Sequence, residues 1–214
     1  MKGQMVYLGR GPQAVAQVRE MNLERATRDW YGEKAQTYDE GRDTDPKWLA
    51  ENEGVMRFLA DAEGPVLDIP CGTGRYFGVY EKLGLEYAGL DVSEEMLAIA
   101  KKKFPKARIG KGNITSIPVL DRSYPTVVCI RLLEKLNPEE FAAAIDELCR
   151  VTSKRLIFNA ITGKEMEARN RSWRHLQSVL EGALKRNGFR LVDAHTVRDP
   201  EYYVWLAMRV KDDR

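Results

Sequence analysis

The sequence predicts an α/β protein: a three-layer sandwich around a mostly parallel, seven-stranded sheet that ends in an antiparallel hairpin. Three observations carry this. Between Pro65 and Asn159 five short apolar runs alternate with helical or looping stretches, the pattern of parallel strands joined by crossovers that cover both sheet faces. Near the C-terminus two β-rich runs, Phe189–Val197 and Tyr202–Val210, are separated only by Arg198-Asp199-Pro200-Glu201, and so short a link joins antiparallel neighbours. The first apolar run, Val66–Ile69, passes through an acid into a glycine turn that opens a helix.

In chain order, Gln13–Trp30 is polar with apolar residues at Val15, Val18 and Met21, which predicts one amphipathic helix ahead of the main fold. Pro46 opens a second helix with Trp48, Leu49, Val55, Met56, Phe58 and Leu59 expected on its buried side, and Gly64-Pro65 ends that region. The strand candidates are Val66–Ile69, Tyr87–Asp91, Ala107–Ile109, Thr126–Ile130 and Arg155–Asn159. Between them the clearest helices are Ser93–Lys103, with Ser93 as N-cap and acids in the first turn, and Pro138–Val151. A last helix is expected over Ser172–Lys185, stopped by Asn187-Gly188. Two units follow: 1–45, an N-terminal helical or lid segment, and 46–214, the catalytic domain.

Composition narrows the function. Of 214 residues 43% are hydrophobic and 31% charged, an ordinary soluble balance, and no apolar run approaches the ~20 residues of a membrane span. Met1–Arg10 lacks the apolar core of a secretory signal, so a cytoplasmic address is expected. With 34 basic against 32 acidic residues the net charge is +2, which gives no global footprint for nucleic acid. Cys71, Cys129 and Cys149 are too widely spaced for a disulfide framework or a metal knuckle; the last two read as core residues.

The chemistry concentrates in Asp68-Ile69-Pro70-Cys71-Gly72-Thr73-Gly74-Arg75. Gly72 and Gly74 allow a sharp turn and close approach of a ligand to the backbone, and a helix start offers free N–H groups. Nineteen residues after Gly72 the second strand ends at Asp91, placed to accept hydrogen bonds from both ribose hydroxyls of an adenosine ligand.

These residues resemble motif I of class I S-adenosylmethionine-dependent methyltransferases, usually Asp-x-Gly-Cys-Gly-x-Gly, on a Rossmann-like fold. Leu90–Met96 resembles the family's segment after strand two, and Asn113–Pro118 the piece lying along adenine. Tyr31–Asp39 is similar to a Tyr-x-x-x-Ala-x-x-Tyr-Asp signature of many small-molecule members. The resemblance implies S-adenosyl-L-methionine as cofactor, held by Tyr38, Arg42, Asp68, Pro70, Cys71, Gly72, Thr73, Gly74, Asp91, Val92, Met96, Asn113, Ile114 and Arg131. Pro70 replaces the first glycine, Asn113 the usual acid, and Val151–Lys154 a common Pro-Gly-Gly. The nicotinamide-dehydrogenase fingerprint Gly-x-Gly-x-x-Gly is not met, because Phe77 stands at its closing position.

The acceptor is expected beyond strands four and five, near Arg131, Leu132, Leu133, Glu134, Asn159, Ile161 and Thr162. Glu134 is a candidate base, a contact for a cationic acceptor, or a solvated helix-start glutamate, and His175, read at a helix start, is the second catalytic candidate. A basic loop, Lys164–Arg174 with Trp173, is a solvated loop or a contact for an anion or RNA. Three readings stay open: a small-molecule methyltransferase, a methyltransferase of nucleic acid or protein, and a non-catalytic cofactor binder.

Overall fold

A computed structural model describes residues 35–42, 44–169, 172–197 and 201–210. The helix expected over 13–30, Tyr31 and the hairpin link at 198–200 lie outside the described residues. The strands are β1 (Val66–Asp68), β2 (Tyr87–Asp91), β3 (Arg108–Lys111), β4 (Tyr124–Cys129), β5 (Thr152–Gly163), β6 (Glu167–Arg169), β7 (Ser172–Leu176), β8 (Phe189–Thr196) and β9 (Tyr202–Arg209). The helices are α1 (Pro46–Leu59), α2 (Phe77–Lys82), α3 (Glu94–Lys103), α4 (Pro138–Val151) and α5 (Gln177–Arg186).

Strands β3, β2, β1, β4 and β5 lie side by side in that order and run parallel. β9 pairs antiparallel with β5 through Arg155–Ile161, and β8 pairs antiparallel with β9. These seven strands are the expected sheet. β6 and β7 are additional. β5 runs on to Gly163, its last residues pair with β7, and β7 forms a hairpin with β6. The helix expected from Ser172 therefore starts only at Gln177, and the basic stretch before it is a strand pair rather than a loop. Ser172–Leu176 pairs with β6 and with the end of β5, and that pairing overrides the helix-like continuation.

Local signals explain the helix boundaries. The Asp45 side chain accepts from the Lys47 N–H, with Pro46 in the first turn of α1. Ser93 caps α3, and Asn137 with Glu140 forms a reciprocal capping box on α4.

Alternation along the buried strands splits the core in two. Leu67, Val127, Cys129, Leu156 and Phe158 face Phe141, Ala144, Ile145 and Leu148 of α4 and Leu180 and Leu184 of α5. Val66, Val128, Ile130 and Ile157 face Val55, Phe58 and Leu59 of α1, Phe77 and Tyr80 of α2 and Leu97 of α3. Two packed faces on one sheet give the expected three layers. On α1, however, Leu49 and Met56 are exposed, and the buried stripe runs through Glu51, Gly54, Val55, Phe58 and Leu59 instead. Gly89 on β2 has a packing reason: a Cβ there would stand 2.4 Å from the Phe77 ring and 2.9 Å from Cys71, so glycine lets α2 and the motif turn close onto the sheet.

Burial sets a first expectation. Leu148→Ala removes a fully buried side chain between α4 and the sheet and should cost about 2–5 kcal/mol in urea unfolding. Leu120→Ala, at a residue 82% exposed, should change stability by no more than about 0.5 kcal/mol. Equal effects would contradict this placement of the core.

Candidate functional site

A cleft opens at the carboxyl ends of β1, β2 and β4, the place where open α/β sheets receive ligands. β1 delivers Asp68 to its floor, and the chain then turns through Gly72 (φ 53°) and Gly74 (φ 79°). The turn is fixed from both sides. Ile69 N–H donates to Val128 O on β4, and Cys71 N–H donates to Leu90 O on β2. A Cβ at Gly74 would come within 2.8 Å of the Phe77 ring, so both conformation and space demand glycine there. The helix that follows, α2, has six residues and begins only at Phe77, so the turn's own backbone, rather than a helix end, faces the cleft.

Asp91 ends β2. One carboxylate oxygen accepts from Gly72 N–H at 2.8 Å and the other from Ser93 N–H at 2.9 Å. Asp91 thus ties the glycine turn to the start of α3 as well as facing the cleft. Both acids on the floor are held toward the neutral form. Burial pushes the Asp91 carboxyl up to about 6 against the pull of its backbone hydrogen bonds. Burial also raises Asp68 to about 8, with the Tyr80 hydroxyl bond opposing and the Asp91 charge adding to the rise. Cys71 is buried and its thiol is pushed far above the ordinary value, so it is a wall and not a nucleophile.

The remaining walls come from three places. Val92 and Met96 flank one side and Asn113 and Ile114 another. The Asn113 side-chain oxygen accepts from Thr115 N–H and Oγ1, which folds this segment into a tight turn. Tyr38 and Arg42 close the third side from the segment preceding α1. That segment is anchored, since Asp39 accepts from Thr73 Oγ1 and pairs with Lys103. Burial opposes ionisation of Asp39, but the bonds from Lys103 and Thr73 hold its carboxyl below the ordinary value. Of the residues that the family resemblance nominated for the cofactor, Gly74 alone does not line this cleft; it faces the adjoining groove with Asp39 and Lys103.

At the far end stands a cluster the sequence reading missed. Glu51 of α1 is fully buried and accepts from Arg75 Nη1 (2.7 Å), Asn159 Nδ2 (3.0 Å) and the Tyr202 hydroxyl (2.6 Å). Asn159 Oδ1 also accepts from the Arg131 N–H, which holds Arg131 at φ 70°, a left-handed conformation uncommon outside glycine. The available signal was an acid on the apolar stripe of α1, four residues before Val55.

The acceptor-side expectations divide. Arg131 and Leu132 line the cleft, whereas Leu133, Glu134, Asn159, Ile161 and Thr162 are not on its wall. Glu134 is buried in the short turn Leu133–Lys135, where Arg131 Nε lies 4.0 Å away; neither carboxylate oxygen has a hydrogen-bond partner among the described residues. It is not the solvated glutamate that its polar context suggested. His175 sits on β7 rather than at a helix start. Its ring stacks on Phe141 at 3.8 Å and its Nε2 contacts Leu133 O, so it fastens β7 to the turn after β4 and stays off the cleft wall. Burial lowers its pKa, partly offset by that carbonyl. In the basic stretch, Arg174 is engaged by Glu167 and Glu201.

Residues 66–155 match the family model described as methyltransferase domain. Over that stretch the chain is similar to a methyltransferase domain. The match spans the motif turn, Asp91 and β1 to the start of β5. A demethylmenaquinone methyltransferase from Chlorobaculum parvum is 32% identical over 108 residues, 47% of this chain and 45% of that protein. A malonyl-[acyl-carrier protein] O-methyltransferase from Pectobacterium atrosepticum is 27% identical over 126 residues, 58% and 47% respectively. The chain thus spans about half the length of these curated relatives. Among solved structures, magnesium protoporphyrin IX methyltransferase from Synechocystis PCC 6803 with bound SAH superposes with a TM-score of 0.71 at 20% identity, covering 87% of this chain and 99% of that one. Burkholderia thailandensis 1,6-didemethyltoxoflavin-N1-methyltransferase, bound to 1,6-didemethyltoxoflavin and S-adenosylhomocysteine, gives 0.66 at 14% identity over 97% and 94%. At such identities the likeness is one of fold, and the chain has the Rossmann-like fold expected of it.

The raised acids give a pH test. Asp68 is neutral below its unfolded value of about 4, and folding stability tied to it is lost as pH rises toward about 8. Asp68→Asn keeps an acceptor for Tyr80 without the charge. Its melting temperature should gain on the wild type steadily between pH 4 and pH 8 and then level off. A difference independent of pH would show that Asp68 does not titrate there.

Proposed function

We propose that this chain is an S-adenosylmethionine-dependent methyltransferase acting on a small-molecule acceptor. The observation that carries the reading is the pairing of Asp68 and Asp91 on the floor of one cleft, around a glycine turn that brings backbone within ligand reach. The donor set suits this cofactor. Asp68 is buried with one hydrogen bond among the described residues, from Tyr80, and is short of a cation such as an ammonium group. Asp91 accepts backbone N–H groups on both oxygens and, with about four lone-pair sites, keeps capacity for a ribose hydroxyl. Val92, Met96 and Ile114 offer apolar flanks for adenine. Arg42 would pair with the cofactor's carboxylate.

When bound, S-adenosylmethionine supplies a methyl group on a cationic sulfur that leaves as a neutral thioether once an acceptor nucleophile takes the methyl. The chain's own residues align the two reactants and exclude water, an orientation effect able to supply several kcal/mol of rate acceleration. Tyr38 and Arg42 cover the cleft from the N-terminal side, and we assign 35–42 to a lid over the cofactor, with 46–214 as the catalytic domain. A general base is required only by an acceptor that is protonated at neutral pH. The compact cleft and the internal pairing of Arg174 favour a small acceptor over nucleic acid.

Calorimetry should show S-adenosylmethionine and S-adenosylhomocysteine binding at micromolar levels and nicotinamide dinucleotides not at all. Asp91→Ala should weaken either sulfur nucleoside by roughly 1.5–3 kcal/mol, the range for hydrogen bonds to a charged group. It should also lower thermal stability, because the Gly72 and Ser93 N–H groups lose their acceptor. Tight NAD binding with no response to the sulfur nucleosides would refute the reading.

A further inference from the structure

The end of the cleft away from Asp91 carries an unusual concentration of positive charge. Arg42, Arg75 and Arg131 all line it, and all three guanidinium groups pack on one indole, that of Trp48, at 4.2, 4.8 and 4.1 Å from its ring. Three like charges on a single ring lie within about 10 Å of one another, the screening length in 0.1 M salt, so they repel with little help from solvent ions.

The negative charges that hold them stand behind. Glu51 binds Arg75 and lies 3.7 Å from Arg131, and Glu134 lies 4.0 Å from Arg131 on its other side; neither carboxylate lines the cleft. Asp39, the remaining acid near Arg42, is taken by Lys103 and Thr73. The surface presented to a ligand is therefore cationic.

Two groups on this wall also lack hydrogen-bond partners among the described residues. Arg42 is more than nine-tenths buried, stacked between the rings of Tyr38 (3.6 Å) and Trp48, and its guanidinium makes no hydrogen bond among the described residues. Tyr76 is almost fully buried, lines the cleft, and its hydroxyl has no hydrogen-bond partner among the described residues. Arg131 spends one nitrogen on the Tyr202 hydroxyl at 3.0 Å, while its Nε is too far from Glu134 for a hydrogen bond. Its backbone is held in the left-handed region by Asn159, so the side chain is set by the scaffold and not by a free rotation of the loop. The cofactor has a single carboxylate, which Arg42 would satisfy, so the Arg131 that the family resemblance also placed on the cofactor is left for another anion. Arg131 and the Tyr76 hydroxyl remain.

We propose that the methyl acceptor is an organic anion, and that Arg131 together with the Tyr76 hydroxyl receives its carboxylate or phosphate group beside the methyl donor. The proposal rests on the methyltransferase reading above and names the substrate class of that same site. A planar guanidinium suits either oxyanion, and Ile130 and Leu132 on the same wall suit an acceptor with an apolar body.

The test separates the two readings. S-adenosylhomocysteine is first titrated into the protein; absence of binding would overturn the cofactor reading and this one with it. The loaded protein is then titrated with 2-naphthoate, 2-naphthyl phosphate and the uncharged 2-naphthamide. At least one anion should bind about tenfold or more tightly than the amide, with an advantage that shrinks as sodium chloride is raised. Preference for the carboxylate or for the phosphate identifies which oxyanion the site takes. Arg131→Gln should abolish the advantage and Arg131→Lys should keep part of it, each compared with the wild type at saturating S-adenosylhomocysteine so that weaker cofactor binding cannot imitate a lost anion site. Equal binding of amide and acids, no binding of either anion to the loaded protein, or a preference untouched by both Arg131 variants would overturn the proposal and leave the cofactor reading standing.

Discussion

The Asp91 carboxylate is the constraint around which the site is arranged. It joins two backbone N–H groups from different elements, Gly72 in the motif turn and Ser93 at the head of α3. Without that bridge the turn would lose its tie to the start of α3, although Ile69 N–H, Cys71 N–H and the Thr73 hydroxyl would still hold it to β4, β2 and Asp39. Buried hydrogen bonds to a carboxylate are strong because little water competes for either partner. The cost is a raised pKa, and the same rise on Asp68 keeps two acids close together without full repulsion. Gly89 and Gly74 serve the same end by steric means, since each leaves the space that the Phe77 ring fills under the turn.

A second polar centre governs the opposite end. Glu51 from α1 draws together Arg75 after β1, Asn159 on β5 and Tyr202 on β9, with Arg131 after β4 alongside. Burying a carboxylate is costly unless partners satisfy it, and those around Glu51 come from four separate stretches of chain. The result is that the antiparallel hairpin is fastened to the helix layer at the rim of the cleft. β9 belongs to the working part of the domain for this reason, and the hairpin is more than a closing edge for the sheet.

Much of this was legible in the sequence. Strand–helix alternation and the short link before Tyr202 gave the parallel sheet and its hairpin, because burial on both faces leaves continuous apolar runs that periodicity can find. Ser93 and Asn137 marked helix starts through local hydrogen bonds, which depend on near neighbours only. The motif turn and Asp91 were legible for the same reason. What escaped notice depends on distant partners. β6 and β7 exist because β5 runs past the sheet and offers them an edge. His175 was misplaced with them, since its role follows from stacking on Phe141, far away in sequence. Glu51 and Tyr202 are separated by 151 positions and nothing local pairs them. Glu134 looked solvated because its neighbours are polar, yet the turn after β4 folds it inward beside Arg131.

The central claim is that one cleft, floored by Asp68 and Asp91, holds S-adenosylmethionine. A crystal structure of the protein grown with S-adenosylhomocysteine tests it most directly. The account predicts density with the ribose hydroxyls on Asp91, the adenine between Met96 and Ile114, and the amino group toward Asp68. Density for the nucleoside elsewhere on the protein, or in the cleft with its ribose turned away from Asp91, would contradict it.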